Sequence, residues 1–246
     1  RCTAIRGTWR LKHLMIPAVI CCRYRIASAM LAITLILFAV SSALAQTPNA
    51  PTLPDEANGN ALRTEQTMID AGQFKQAASS LRLFLAGEPN SASAHSMLAY
   101  CMLRMDDPRD SLSEYTRAAA IQRPSATDLQ NVAKDYALLN DMADADHWMV
   151  AATRMDPADP EAWYGLGRVR YSLQRFQDAA NCFERALVLD PRSVKAENNL
   201  GLSYEGLNRT EDAVAAYRNA IKWQKGSPHP SEQPLLNLGI VLLHQG

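Results

Sequence analysis

The residue types that most often do chemistry are present in this chain, but not in working arrangements. Beyond residue 45 the histidines are His95, His147, His229 and His244, and none belongs to an H-E-x-x-H pair or to a Cys/His cluster of metal-site spacing. There is no G-x-x-x-x-G-K-S/T phosphate loop, no G-x-G-x-x-G and no G-x-S-x-G. Gly165-Leu166-Gly167 falls inside a helical pattern, where glycines serve close packing rather than a cofactor turn. Asp144 and Asp146 read as a solvated face instead of an acid/base pair, and Asn208-Arg209-Thr210 fits a glycosylation acceptor in a turn. Cys2, Cys21 and Cys22 lie within the first 45 residues, and Cys101 and Cys182 fall in different helical units. Packed helices sit about 10 Å apart, whereas a disulfide needs Cα atoms within about 7 Å. Cys101 and Cys182 are therefore expected to be free, buried thiols acting as small apolar residues. These residues imply no cofactor, no metal and no enzyme activity.

The elements that carry them begin with a leader. Ile26 to Ala45 contains no charged residue; Arg23 and Arg25 precede the run and Ala43-Leu44-Ala45 closes it. Basic flank, apolar centre and A-x-A ending are the parts of a secretory signal peptide, predicted to be cut between Ala45 and Gln46. The alternative is an uncleaved anchor, because about 20 uncharged residues suffice to span a bilayer. Residues 1–14 precede Met15 and are read as lying upstream of the true start. Residues 46–57 hold Pro48, Pro51 and Pro54 and read as an extended linker. Six of the 25 Lys and Arg residues stand in the first 45 positions, which leaves 19 against all 25 Asp and Glu, a net −6 for the body. An acidic body argues against a nucleic-acid partner.

From residue 58 the chain repeats every 34 residues, with units starting at 58, 92, 126, 160 and 194. Unit position 7 carries Thr64, Leu98, Val132, Leu166 and Leu200; position 14 carries Ala71, Met105, Leu139, Leu173 and Leu207. Positions 7, 11 and 14 form one helix face, and 17, 20, 24 and 27 form a second. Gly72, Asp106, Asn140, Gln174 and Asn208 stand between them at position 15, most of them turn formers. Small residues at position 8 (Ala99, Ala133, Gly167, Gly201) and position 20 (Ala77, Ser111, Ala145, Ala179, Ala213) let the two helices approach. Pro89, Pro157 and Pro191 at position 32 disfavour continuing the second helix. Thr64 and Glu65 depart from this pattern, as suits a solvent-facing end, and Pro108 is placed for a first helical turn. The register then slips by four through residues 226–233, and Pro234 to Leu243 restarts a first helix. A stack ends poorly on an uncovered apolar helix, so the expectation is a truncated sequence or a last helix packed in another way.

Trp163, Leu166, Gly167, Tyr171, Ala179, Phe183, Ala186 and Pro191 of the fourth unit stand where the tetratricopeptide repeat motif places such residues. Residues 58–225 thus resemble five tetratricopeptide repeats. The resemblance implies an all-α, right-handed α-solenoid of helix-turn-helix units in which the first helices line a concave groove. Here unit positions 2, 5, 9, 12 and 13 would face that groove. They carry Tyr100 and Arg104, then Gln130 and Lys134, then Tyr164, Arg168 and Tyr171, then Lys195, Asn198 and Glu205. Aromatic and Arg residues in a groove suit recognition of a peptide or protein segment. The expected function is an exported scaffold or adaptor. The alternatives are the docking part of a larger enzyme, or a membrane-tethered assembly factor if the leader stays on.

Overall fold

The computed structural model describes residues 61–245; the expected leader and linker lie outside them. Eleven helices and no strand occur among the described residues. The first hairpin is α1 (Arg63–Asp70) and α2 (Phe74–Gly87), the second α3 (Ala92–Arg104) and α4 (Pro108–Ile121), and the third α5 (Ala126–Leu138) and α6 (Met142–Met155). The fourth is α7 (Pro160–Ser172) and α8 (Phe176–Leu189), the fifth α9 (Val194–Gly206) and α10 (Thr210–Trp223), and α11 (Gln233–Gln245) follows. From α2 to α10 every helix recurs at the 34-residue spacing, with neither start nor end displaced.

Local chemistry sets these boundaries. Ser91, Asp107, Ser125, Asp141 and Asp159 each accept a backbone N–H in the first turn of the helix they precede, and Ser125 forms a reciprocal capping box with Asp128. Pro108 occupies the first turn of α4, where its missing N–H costs nothing. Position 15 takes the left-handed conformation in every hairpin: Gly72 at φ 73°, Asp106 at 63°, Asn140 at 60°, Gln174 at 59° and Asn208 at 58°. That residue reverses the chain between the two helices.

Each hairpin closes on the small-residue columns. Ala77, Ser111, Ala145, Ala179 and Ala213 are all fully buried. A Cβ on Gly167 would lie 2.6 Å from the Phe183 ring, and one on Gly201 would lie 2.5 Å from the Tyr217 ring. Hairpins then stack through positions 3, 6 and 10 of the first helix, which press back on the preceding unit. Ala94, Ala162 and Ala196 are buried at position 3, and Cys101, Asp135, Val169 and Ser203 at position 10. In α11 the buried residues are Pro234, Asn237 and Val241, the same three positions after a slip of four. Its other side leaves Leu236, Ile240 and Leu243 exposed.

One sequence expectation is corrected here. Thr64 is exposed, but Glu65 is buried and accepts a 2.5 Å hydrogen bond from Ser80 Oγ, so it ties α1 to α2 rather than facing solvent. Cys101 and Cys182 are buried, unbridged thiols, and burial pushes the Cys101 thiol up to about 11.

Candidate functional site

First helices of successive hairpins touch one another along the series α3, α5, α7, α9 and α11, whereas no two second helices pack comparably. The array therefore curves toward its first helices, which form the inner wall of a groove.

Position 5 does not present all its side chains to that groove. Gln130 is buried and donates to Asp159 Oδ2 at 2.6 Å, which ties α5 to the cap of α7. Asn198 is buried and accepts from Asn237 Nδ2 at 3.0 Å, which ties α9 to α11. Both residues were expected at the groove surface; they act instead as struts between units. A polar side chain enclosed between two helices is stable only when it is hydrogen-bonded, and the next unit supplies the partner. Tyr164 does both jobs. Its hydroxyl accepts from Asn199 Nδ2 at 2.9 Å, while its half-buried ring packs on Phe183, with 5.8 Å between centroids.

The remaining expected residues lie along the first helices in three groups. At the early end, Arg104 stacks 4.5 Å from the Phe74 ring centre and donates to the Tyr100 hydroxyl at 2.8 Å. In the middle, Lys134 donates to Asn131 Oδ1 at 3.0 Å, and Asn131 in turn donates to the Tyr115 hydroxyl at 2.9 Å. The side chain of Lys134 is exposed, yet desolvation by the surrounding walls lowers its pKa, opposed by Glu161 and Asp159. Arg168 occupies the same position one unit later; it is exposed and makes no hydrogen bond or ion pair among the described residues. Tyr171 packs edge-on against Phe176 at 5.4 Å. At the late end, Lys195 pairs with Glu161 at 2.5 Å and lies 4.7 Å from the Tyr164 ring centre. Glu205 accepts from the buried Tyr217 hydroxyl. Among the described residues Lys134, Arg168 and Arg104 form no ion pair, whereas Lys195 is paired with Glu161. No group of His, Cys, Asp and Glu able to hold a metal occurs among the described residues.

The tetratricopeptide repeat model matches residues 133–180 and 166–230. Residues 133–230 are a tetratricopeptide-repeat region. The peroxisomal targeting signal receptor of Kluyveromyces lactis is 34% identical over 74 residues, which is 30% of this chain and 13% of the receptor. The PEX5-related protein of Mus musculus is 37% identical over 75 residues, covering 30% of this chain and 13% of that protein. The chain therefore spans about an eighth of the length of the curated relatives it matches. Among solved structures, Pseudomonas aeruginosa PilF superposes with a TM-score of 0.65 at 22% identity, over 78% of this chain and 86% of that one. YrrB, described as a TPR protein with an unusual peptide-binding site, gives 0.58 at 15% identity, over 75% and 89%. These likenesses are of fold. The tetratricopeptide array is all-α among the described residues.

Proposed function

We propose that this chain is an exported scaffold or adaptor that holds an extended protein segment against its first helices. The observation that carries the reading is the middle of the groove. Lys134 and Arg168 stand there one unit apart, with Arg168 unmatched among the described residues, beside the aromatic rings of Tyr164 and Tyr171. Unmatched cations next to aromatic surface favour a segment with a carboxylate and an apolar anchor, since Arg binds carboxylates through paired hydrogen bonds. Relatives described as a targeting signal receptor and as a peptide-binding TPR protein support the same class of partner. Its role is binding and not catalysis. Export rests on the basic flank, apolar run and Ala43-Leu44-Ala45 of the leader.

The test begins with a partner recovered by pull-down on the chain from Gln46 onward. Arg168→Ala and Tyr171→Ala should each weaken its binding by about 1–2 kcal/mol, the scale of interface hot spots, with helicity unchanged. Added salt should weaken binding further by screening. Parental affinity in both variants would move the site out of the groove. For export, sequencing the N-terminus of protein from the envelope or medium should read from Gln46; an intact leader in the membrane fraction would favour a tethered assembly factor.

A further inference from the structure

We infer that Asp135 is held in the fold as a neutral carboxylic acid that bridges the second and third repeats, so that this joint is proton-locked and loosens as pH rises through neutrality. The inference concerns the array and does not depend on what the groove binds.

Asp135 lies on α5 at position 10, fully buried against the preceding hairpin. Its Oδ2 is 2.6 Å from Ser111 Oγ on α4, and the same Ser111 Oγ is 2.9 Å from the Ala99 carbonyl oxygen on α3. Ser111 is itself fully buried, and its hydroxyl has a single hydrogen. If Asp135 were ionised, both neighbours of that hydroxyl would be acceptors, and one short contact would hold two facing lone pairs. If Asp135 carries the proton, every contact has a donor: Asp135 O–H donates to Ser111, and Ser111 O–H donates to Ala99. The separations of 2.6 and 2.9 Å are ordinary for O–H···O bonds.

The other oxygen points the same way. Oδ1 of Asp135 is buried without a hydrogen-bond partner. An unpartnered acid carbonyl in that place costs far less than an unpartnered half of a carboxylate charge. The surroundings offer little to hold an anion. The carboxyl meets only the Ser111 hydroxyl of α4, which it shares with the Ala99 carbonyl of α3. The charges that act on it are Lys134, which favours ionisation, and Asp107 ahead of α4, which opposes it. Lys134 is bound to Asn131 and turned to the groove, and the nearby titratable side chains Tyr115 and Tyr136 are pushed up chiefly by their own burial. Desolvation dominates, and it raises the Asp135 pKa to about 7.

The sign follows. An unfolded Asp ionises near pH 4, whereas the folded one keeps its proton until about 7. Folding therefore takes up a proton between those values, and stability contributed by the neutral acid is lost as pH rises through the folded pKa. The joint between α4 and α5 bears the loss, because ionisation breaks the chain of donors that spans it.

The experiment is urea unfolding of the chain from Gln46 onward at pH 5 and pH 8, for the parent and for Asp135→Asn. Asn keeps the shape and a donor for Ser111 but cannot ionise. The parent should lose midpoint concentration between pH 5 and pH 8, and the variant should lose measurably less, the difference corresponding to about one proton taken up on folding. Identical pH profiles would overturn the inference. Infrared difference spectra of the parent give a second readout that needs no variant. A protonated-carboxyl stretch should be present in the folded protein at pH 6, vanish on unfolding at that pH, and fade by pH 8. Its absence at pH 6 would also overturn the inference.

Discussion

Gln174 holds a left-handed backbone at φ 59° with a full side chain, where the equivalent residue of the first hairpin is Gly72. A side chain in that region costs about 1–2 kcal/mol, and glycine returns part of this gain as unfolded-chain entropy. Gln174→Gly should therefore raise stability by about 0.5–1 kcal/mol, read as a higher thermal midpoint with unchanged helicity. This column is legible in the sequence because Gly, Asp and Asn recur in it. Asp135 is not. Its equivalents are Cys101, Val169 and Ser203, so position 10 shows no shared chemistry along the chain. What those side chains share is that each is buried against the preceding hairpin, which a single sequence does not display. The same holds for Gln130 and Asn198. Their spacing places them on the inner face, while their partners Asp159 and Asn237, which take them out of the groove, stand 29 and 39 residues further on.

At the scale of the element, the hairpin is set by how closely its two helices cross. Gly167 and Ala179 face each other's helices with no room to spare, and Phe183 seals the crossing. Gly167→Ala would place a methyl group 2.6 Å from a ring carbon of the fully buried Phe183. The ring cannot swing away without opening the cluster it shares with Ala180 and Leu200. The expected cost is about 1–3 kcal/mol, that of overpacking, seen as a lower denaturation midpoint. Ala179→Leu should behave alike, and an unchanged midpoint in both would show that the two columns do not meet. Helix ends offer a gentler probe. Ser125→Ala removes the hydroxyl half of the capping box on α5 and should cost about 1 kcal/mol. Caps, turns and small-residue columns are the features in which the element announces itself in sequence, because each needs a particular residue type regardless of what packs outside.

At the scale of the whole array, the substantial helix contacts among the described residues lie within a hairpin or between neighbouring ones. No helix of the first hairpin packs against one of the fourth or fifth, and the buried clusters are strung along the array rather than gathered at one centre. Such a chain closes only short loops as it folds, so it should fold quickly for its length. It also has no single event that opens everything at once. Amide hydrogens in α5 to α8, covered on both sides, should exchange with solvent more slowly than those in α1, α2 and α11. Mass spectrometry of deuterium uptake should show that gradient as a smooth slope along the array; a single common rate would mean that the array opens as one block. Local opening of this kind gives the molecule a working reserve. One hairpin can part from its neighbour and close again while the others keep the groove's curvature.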